Sequence, residues 1–449
     1  MNALQTDTIA ALATPLGRSS VAMFRVSGPD AFAICDRLLD HRHPTQRYST
    51  QTLHRALVVD GPDTVDDVLV AVFHQPRSYT GEDVVEITCH GGGVPIRRIL
   101  ALLLAGGARL AEPGEFTLRA YLNGKLDLAQ AEAVCDTIDA RTDVAFKLAQ
   151  AQRTGAISKA AGGIRDALLG IVARVEATID FPEDVGEFPK EWCARELSTI
   201  ASELDRLIAT ADRGMLYREG ISVVLAGKPN AGKSSLLNAL LRADRAIVTP
   251  IPGTTRDVIE ESIAIRGIPV RLSDTAGLRE SDDEIERLGV ARSHEMIGAA
   301  DVVLLVRDIS DPDRSSECVL GRAPVIVVWN KIDLAPGFAS PAGDSAVSAL
   351  TGAGIEALED RIAETVLRGA GEESTGTDGA VVTHSRHKQA LVQAREAIAR
   401  AQAVAAANEP LDFLSIELQS ALSSIGLITG ETAPQEIVNE IFHKFCIGK

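Results

Sequence analysis

Short apolar and alternating runs along the first 124 residues have the length and composition of β-strands. They include "SVAMFRVSG", "DDVLVAVF" and "DVVEITCHGG", whereas "PIRRILALLLAGG" has apolar positions at helical spacing. Strands mixed with a helix over this length predict a compact α+β domain.

A helical pattern takes over between about residues 126 and 216, where the chain becomes rich in alanine and leucine. The apolar positions that share one helical face are Ile164, Leu168, Ile171, Val172 and Val175. This periodicity predicts amphipathic helices that are interrupted near Pro182, because proline breaks the helical hydrogen-bond pattern.

Strand and helix patterns alternate between about residues 220 and 372. The strand runs are "ISVVLAG", "VRLSDTAG", "DVVLLVRD", "PVIVVWNKID" and "SAVSAL". Such alternation is typical of a mostly parallel sheet with helices on both faces. The stretch that follows, "RGAGEESTGTDGA", has the composition of a flexible linker.

A second helical stripe follows the linker and consists of Leu411, Leu414, Leu418, Leu422 and Ile425. Two striped helical blocks each need an apolar partner surface, and the simplest arrangement packs them on each other. The α/β unit is then an insertion in one helical domain. The alternative is two separate helical domains.

The composition argues against several classes of protein. With 45% hydrophobic and 24% charged residues over 449 positions, the chain has the length of about three globular domains. Its longest apolar runs are shorter than the ~20 residues of a membrane span, so we expect no membrane helix. A formal charge of −17 argues against a large basic surface, so a nucleic-acid partner would draw basic residues from another protein.

The cysteines and the N-terminus predict a cytoplasmic protein. Six cysteines occur singly, without zinc-site or disulfide spacing, and predict free thiols: Cys35, Cys89, Cys135, Cys193, Cys318 and Cys446. The absence of a basic residue before Arg18 counts against a secretory signal or an organelle presequence.

The segment "GKPNAGKSS" has the spacing of a phosphate-binding loop. It begins at Gly227, directly after a strand run and before a helical run, which is the context that such a loop requires. Backbone N–H groups can wrap the phosphates there, with Lys233 on the β- and γ-phosphates and the Ser234 hydroxyl on Mg²⁺.

The segment "NKID" selects guanine. The Asp333 carboxylate can accept from the ring N1–H and the exocyclic amine of guanine together, and adenine offers no such donor pair. Asn330 would face the base edge, and Lys331 can lie over the ring. "SAL", which starts at Ser348, would present a backbone amide to the guanine oxygen.

Two further segments have the pattern of switch loops. "DTAG" starts at Asp274, whose carboxylate belongs to the Mg²⁺ shell, and ends at Gly277, whose amide can sense the γ-phosphate. "TPIPGTTRD" contains Thr255, a second hydroxyl ligand for Mg²⁺. The predicted GTP contacts are Asn230, Ala231, Gly232, Lys233, Ser234, Ser235, Thr249, Pro250, Ile251, Pro252, Gly253, Thr254, Thr255, Asp274, Thr275, Ala276, Gly277, Asn330, Lys331, Asp333, Ser348, Ala349 and Leu350.

The hydrolytic apparatus departs from that of many small GTPases. Leu278 stands where these have a water-orienting glutamine, and no arginine finger is evident. Glu286 is the candidate for orienting water, acting through a bridging water. The alternative, that Glu286 is one carboxylate on a solvated acidic face, stays open. A monovalent cation held by Asn230 can replace the missing arginine charge.

The chain resembles the MnmE (TrmE) family of GTPases, which act in tRNA uridine-5-carboxymethylaminomethyl modification. The resemblance covers essentially the whole chain. It rests on "DTIAALATPLGR", "FRVSG", "YTGEDVVEITCHGG", "PGEFTLRAYLNGKLDLAQAEAV", "ATIDFPED", "GTTRD", "DTAGLRE" and "CIGK".

The resemblance implies a multidomain α/β plus all-α protein. It implies an N-terminal α+β dimerisation and folate-binding domain over residues 1–124. It also implies a helical domain in two parts, 125–216 and 377–449, with an inserted P-loop (Ras-like) GTPase domain at 217–376.

The family's activity, partners and cofactors are implied in the same way. A potassium-dependent homodimer hydrolyses GTP, binds tRNA and works with the FAD-containing flavoprotein MnmG (GidA) in a heterotetramer or larger complex. Together they add an aminomethyl or carboxymethylaminomethyl group to C5 of the wobble uridine, with 5,10-methylenetetrahydrofolate or 5-formyltetrahydrofolate as reduced folate.

The resemblance also implies ligand sets. Potassium would be held by Asn230, Thr249, the carbonyl of Ile251 and Thr254, and Mg²⁺ by Ser234 and Thr255; Glu286 matches the water-orienting glutamate. Arg25, Glu86 and Lys125 match the folate contacts.

Glu86 is also suited to a ligand on strand geometry. In "DVVEIT", Val85 and Ile87 point to one face and Glu86 to the other, so a strand with a buried apolar face would expose Glu86. Without the resemblance, Arg25 and Lys125 would be interpreted as ordinary surface charges. The sequence departs from the family at Ser19 and Ser20, where two glycines are usual.

The segment "GETAPQEIVNEIFHKFCIGK" predicts a closing helix. Thr432 and Gln435 have capping-box spacing, and Val438, Phe442 and Phe445 mark a buried face. Cys446 then has three interpretations: packing, a prenylation box, and chemistry. Gly448 and Lys449 argue against prenylation. With the resemblance, we expect Cys446 and Lys449 on a mobile tail near the folate pocket or the tRNA approach, Cys446 catalytic in modification and Lys449 binding folate.

Two rival functions compete with this interpretation. "HGGG" at His90 matches an oxyanion-hole motif, but the chain has no Gly-x-Ser-x-Gly elbow, which argues against an esterase. A ribosome-assembly or RNA-binding GTPase switch without modification chemistry remains the alternative, because the GTPase motifs alone do not distinguish the two.

Overall fold

The structure, a computed structural model, describes residues 7–41, 43–243, 261–274, 297–311, 323–369, 379–407 and 409–449. The chain divides into two compact units. The first comprises Met1–Cys135 and Gly426–Lys449, and the second comprises Asp136–Ile425.

A seven-stranded sheet forms the base of the first unit. Its strands in chain order are β1 Ile9–Leu12, β2 Val21–Ser27, β3 Leu39–Asp40, β4 Thr52–Asp60, β5 Asp63–Phe73, β6 Val84–His90 and β7 Arg109–Leu110. Their order across the sheet is β3-β4-β5-β6-β2-β1-β7. Neighbouring strands are antiparallel except for β1 and β7, which run parallel.

Helices complete the first unit. They are α1 Ala31–Asp36, α2 Gly93–Ala105, α3 Glu115–Leu122 and the greater part of α4 Leu128–Asp139. One sheet face packs on α1 and α2 through buried residues such as Phe24, Ile87 and Leu103. This arrangement confirms the α+β fold predicted for the N-terminal region.

The second unit begins and ends with helices. They are α5 Asp143–Arg153, α6 Ala156–Asp180, α7 Pro182–Val185, α8 Lys190–Ala209 and α9 Ala211–Glu219. The stripe on α6 is buried, and α6 ends two residues before Pro182, as predicted.

An α/β layer follows α9 in the chain. Its strands are β8 Ile221–Ala226, β9 Glu261–Ile265, β10 Ile268–Asp274, β11 Val302–Asp308, β12 Val325–Asn330 and β13 Ser345–Ala346, with α10 Lys233–Ala243 and α11 Ile355–Gly369. The strand order is β13-β12-β11-β8-β10-β9. Only β9 is antiparallel to its neighbour among these described strands, so the mostly parallel sheet is confirmed.

Helices return after this layer in the chain. After it come α12 Ser385–Ala407 and α13 Leu411–Thr429. Helix α12 packs on α8, and Arg395 pairs with Asp205 at 2.9 Å across the contact. The predicted packing of helices from both sides of the insertion is therefore confirmed.

One helix of the described chain, Leu411–Thr429, is long and apolar enough to cross a membrane by length and composition. Its mean hydropathy is 1.3, and 44% of it is buried inside the protein. The buried core helix of a globular protein has the same properties, so this helix is weak evidence for a membrane span.

The last helix, α14 Gln435–His443, belongs to the first unit. Val438, Phe442 and Phe445 are buried against Leu128 and Ala131, as predicted. The predicted capping box is wrong. Pro434, in an extended conformation, occupies the N-cap position without a side-chain cap, which leaves Thr432 two residues too early.

Truncating Phe442 should destabilise the protein. Its ring is 2% exposed and lies 6.1 Å from the Tyr121 ring and 5.3 Å from the Phe445 ring. Phe442→Ala should lower the free energy of unfolding by about 3–5 kcal/mol, because it leaves a cavity. Urea unfolding of the full chain measures this. Phe413→Ala, at a side chain that is 51% exposed, is the control and should shift the free energy by less than about 1 kcal/mol. Equal shifts would contradict this packing.

Candidate functional site

The phosphate-binding loop lies between β8 and α10 at the carboxyl edge of the parallel sheet. Two of its glycines have positive φ, at 138° for Gly227 and 91° for Gly232. A Cβ on Gly227 would lie 2.2 Å from the carbonyl oxygen of Val306, and one on Gly232 would lie 2.2 Å from the Nδ2 of Asn330. Only glycine fits at either position, so the loop is pressed against two neighbouring strand ends.

Lys233 and Ser234 begin α10. The Lys233 side chain is buried, and its Nζ donates to the carbonyls of Gly227 at 2.8 Å and Lys228 at 2.9 Å. The Ser234 hydroxyl donates to the Asp274 carboxylate at 2.7 Å. The structure therefore brings the loop serine and the carboxylate at the end of β10 together, at the edge where α/β sheets bind ligands.

Asn330, the last residue of β12, connects the phosphate loop to the base-side loop. It is 1% exposed, and its Nδ2 donates to the Ala231 carbonyl at 3.1 Å. Its Oδ1 accepts from the backbone N–H groups of Lys331 at 2.8 Å and Ala349 at 3.1 Å. The predicted base-edge residue thus also fixes the loops on both sides of it.

Lys331 spans from the base-side loop to the phosphate loop. Its Nζ donates to the Asn230 carbonyl at 3.0 Å and to the Asp308 carboxylate at 2.5 Å. Burial alone would raise the pKa of Asp308, but hydrogen bonds from Lys331 and Ser310 hold that pKa below its usual value. An ionised Asp308 therefore anchors Lys331.

Asp308 was not among the residues predicted from the sequence. It ends β11 and pairs in register with Asn330 on β12. An acidic residue at the carboxyl end of the strand beside "NKID" was the signal that could have found it.

A cavity of about 730 Å³ lies beside the base-side loops. Asp333 lines it, and its carboxylate accepts a 2.5 Å hydrogen bond from the buried Ser348 hydroxyl. Ser235, Ala349 and the 85%-exposed Leu350 also line it. Its volume suits a nucleotide-sized ligand.

Part of the predicted nucleotide site lies outside the described residues: Thr249, Pro250, Ile251, Pro252, Gly253, Thr254, Thr255, Thr275, Ala276, Gly277 and Glu286. Of the predicted metal ligands, the structure describes Asn230 and Ser234. The roles of all these residues stay predictions.

A second group of predicted site residues meets on the sheet of the first unit. Arg25 on β2 donates from Nε and Nη2 to the Glu86 carboxylate on β6, at 2.9 and 2.7 Å. Its guanidinium lies over the rings of Tyr79 and Phe116, 5.3 and 5.6 Å from their centroids. Val85 and Ile87 are fully buried, whereas the Glu86 side chain is 20% exposed, which confirms the predicted alternation along β6.

The C-terminal segment is docked on this group. Arg25 donates to the Gly448 carbonyl at 3.3 Å, and the Phe116 N–H donates to the Lys449 carbonyl at 3.1 Å. The C-terminal segment is therefore held by hydrogen bonds to its backbone carbonyls. This differs from the mobile tail expected from the sequence. Cys446 is exposed on it.

Lys449 lies in an unusual electrostatic setting. Burial lowers the pKa of Lys449 below its usual value, and the nearby Arg25 guanidinium lowers it further. The structure thus brings Arg25, Glu86 and Lys449 together. Lys125, the remaining predicted folate contact, donates instead to the carbonyl of Pro76 at 2.9 Å.

The segment that contains Ser19 and Ser20 is held by two hydrogen bonds of Ser19 in place of the glycine pair. The Ser19 N–H donates to the Gly91 carbonyl at 3.1 Å, and its hydroxyl donates to the Val21 carbonyl at 2.7 Å. His90, in the "HGGG" segment, donates from Nδ1 to the Asp66 carboxylate at 2.7 Å.

Two models of known protein families match this chain. The family model described as "GTP-binding protein TrmE N-terminus" matches residues 8–125, and that of the "MnmE helical domain" matches residues 128–446. The chain belongs to the MnmE family.

Curated relatives match this family member along its full length. The tRNA modification GTPases MnmE of Carboxydothermus hydrogenoformans and Geobacter metallireducens are 43% and 44% identical. They cover 99% of this chain and 100% and 99% of their own. That of Moorella thermoacetica is 45% identical, with 99% of each chain covered.

Solved structures add little to this assignment. The G domain of the T. maritima FeoB iron transporter is 29% identical and covers 32% of this chain and 98% of its own, with a TM-score of 0.24. A TM-score this low supports no conclusion.

Asp333→Asn should exchange guanine for xanthine specificity. The amide would present a donor to the guanine N1–H and amine, which removes two charge-assisted hydrogen bonds and lowers GTP affinity about 10²- to 10⁴-fold. Calorimetric titration with GTP and with xanthosine triphosphate measures the exchange. Glu364→Gln, an exposed carboxylate on α11, is the control and should leave GTP affinity unchanged. Retained GTP preference in Asp333→Asn would remove this residue from base recognition.

Proposed function

We propose that this chain is a GTP-hydrolysing enzyme that acts in tRNA modification. The observation that carries the proposal is the position of Asn330, which ties the phosphate loop to the guanine-side loop in a member of the MnmE family. Its full-length relatives are tRNA modification GTPases.

The described residues suit GTP and Mg²⁺. Ser234 and Asp274 place a hydroxyl and a carboxylate oxygen 2.7 Å apart, and such hard oxygen donors are the ligands that Mg²⁺ prefers. Ser234 and Thr255 would hold the ion, which supplies positive charge to the phosphates. Lys233 binds the β- and γ-phosphates, and Asp333 orients the base.

Hydrolysis is assigned to a potassium-assisted site. Asn230 has a positive φ of 65° and an exposed side chain, and its carbonyl is held by Lys331. Asn230, Thr249, the carbonyl of Ile251 and Thr254 would hold K⁺, in place of an arginine charge. Glu286 orients the attacking water.

The target is the wobble uridine of certain tRNAs, which the homodimer modifies at C5 together with the flavoprotein MnmG (GidA). Arg25, Glu86, Lys125 and Lys449 bind a reduced folate. The carboxylate of Glu86 accepts from the pterin ring, and the cations bind the glutamate tail. Cys446 acts in modification, and its exposure beside this group supports that role.

Nucleoside analysis of tRNA tests the proposal directly. A strain without this gene should lose the C5 modification, and the wild-type gene should restore it. Normal wobble uridine together with immature ribosomal subunits would establish the alternative, a ribosome-assembly switch.

The Cys446→Ser variant should fail to restore the modification while its GTP hydrolysis in vitro stays within about twofold of wild type. The thiol belongs to the first unit and the described nucleotide residues belong to the second, and the thiol is the group that the substitution removes. Cys193→Ser, at a buried thiol on α8, is the control for loss of a cysteine. Full modification by Cys446→Ser would defeat the assignment of this thiol.

Replacing K⁺ with Na⁺ should slow GTP hydrolysis about 10²-fold or more, because the smaller ion fits poorly where a charge worth roughly 10³ to 10⁵ in rate is needed.

Glu286→Ala should retain GTP affinity and lose about 10²- to 10⁴-fold in rate, since positioned proton-transfer groups contribute this much. The rate of phosphate release measures hydrolysis in the two salts and in the Glu286→Ala variant. Unchanged turnover in Na⁺ refutes the potassium role, and full activity of Glu286→Ala removes Glu286 from the mechanism.

A further inference from the structure

A second cavity, of about 510 Å³, lies in the second unit where the helical segments meet the α/β layer. The last turn of α4, helices α5 and α9, strand β10 and the segment before α12 all contribute to its walls. None of these residues belongs to the nucleotide site.

Thr383 lines this cavity and is 2% exposed. Its hydroxyl has no hydrogen-bond partner among the described residues. The backbone around it is fixed, because Gln152 donates to the Val381 carbonyl and the Val382 N–H donates to the Thr210 hydroxyl at 3.0 Å. Since a buried hydroxyl without a partner is unfavourable, a ligand in the cavity is its natural partner.

Two arginines on the cavity wall, Arg141 and Arg271, are both related to Ser262. Arg271 on β10 is paired in register with Ser262 on β9, and Arg141 donates to the Ser262 hydroxyl at 3.2 Å. Neither arginine forms an ion pair with any carboxylate in the described parts of the chain, which leaves both forks available to an oxyanion.

Carboxylates on the cavity wall do not neutralise these two arginines. Asp136 accepts from Arg218 at 2.7 Å and pairs with His384 at 2.8 Å, and Glu219 pairs with Arg218 at 3.1 Å. Asp139 also lines the cavity, so the lining carries as many acidic as basic residues. A bare inorganic anion would gain little there, and a ligand needs apolar contact as well.

The rest of the wall supplies that contact. Leu148, Ala145 and Ala149 of α5 are buried, and the half-exposed Ile138 of α4 completes an apolar side. The volume falls within the range of small-molecule sites.

We propose that this cavity binds a small organic oxyanion, a phosphate or carboxylate ester or acid on an apolar body. Arg141 and Arg271 hold the oxyanion, the Thr383 hydroxyl donates to it or to the adjoining group, and the body packs on Ile138 and Leu148. The site goes beyond GTP hydrolysis and tRNA modification and does not depend on either.

The cavity is connected to the nucleotide site by one strand. Arg271 lies three residues before Asp274 on β10, and β10 pairs with β8, which leads into the phosphate loop. A ligand that binds Arg271 and a nucleotide beside Asp274 therefore contact the same rigid element.

Calorimetric titration of the full chain tests the proposal. The probes are phenyl phosphate and benzoate, with inorganic phosphate and neutral benzamide for comparison, all in saturating GDP and Mg²⁺ so that the phosphate loop is occupied. Phenyl phosphate or benzoate should bind with a dissociation constant on the order of 1 mM, as befits so small a ligand. Inorganic phosphate and benzamide should bind at least about 10-fold more weakly. The tighter of the two acids identifies a phosphate or a carboxylate as the natural group.

Two variants locate the binding. Arg271→Gln should weaken it about 10-fold and Thr383→Val about 5-fold, whereas Arg266→Gln on the same hairpin should leave it unchanged, because Arg266 pairs with Asp360 and Glu356 instead. Thr383→Val should also leave the unfolding temperature unchanged or raise it, since it removes a buried hydroxyl without a partner. This readout separates lost binding from lost folding.

Absence of saturable binding by either acid at 10 mM probe overturns the proposal. Binding that is equal in wild type, Arg271→Gln and Thr383→Val belongs elsewhere on the chain and overturns it too. Equal affinity for benzamide and benzoate would show that no oxyanion is recognised.

Discussion

The close approach of Gly232 to Asn330 is the constraint on which the nucleotide site depends. Because no Cβ fits between them, the Asn330 amide reaches the carbonyl of Ala231 while its oxygen holds the Ala349 N–H. One buried side chain thereby fixes the distance between the loop that contacts phosphate and the loop that contacts the base. Lys331 and Asp308 reinforce the same connection from the neighbouring strand.

In the first unit a charged side chain, in place of an amide, holds separate parts of the chain together. An arginine on a strand is held by a carboxylate on the next strand and by two aromatic rings, and the C-terminal carbonyls close over it. Residues more than 420 positions apart in the chain therefore form one charged group. Its exposed thiol and its partly buried lysine lie within the same short segment.

Features with a fixed local spacing could be predicted from the sequence. The phosphate loop, the stripe on α6 and the alternation around Glu86 are of this kind, because each depends on nearby residues. Asp308 and Thr383 were not found, since their surroundings are assembled from separate strands and helices. Thr432 was assigned a capping role from its spacing alone, but the extended backbone of Pro434 places the start of α14 after it.

The packing of α8 on α12 has a consequence for the synthesis of the chain. Asp205 and Arg395, which pair across this contact, are 190 residues apart. At about 5–20 residues per second, the ribosome needs roughly 10–40 s to add the second helix after the first. During that interval the apolar face of α8 lacks its final partner, while the whole intervening α/β layer emerges and can fold. The contact between α8 and α12 therefore forms only after the α/β layer has been synthesised, and a chaperone that shields α8 would act in this interval.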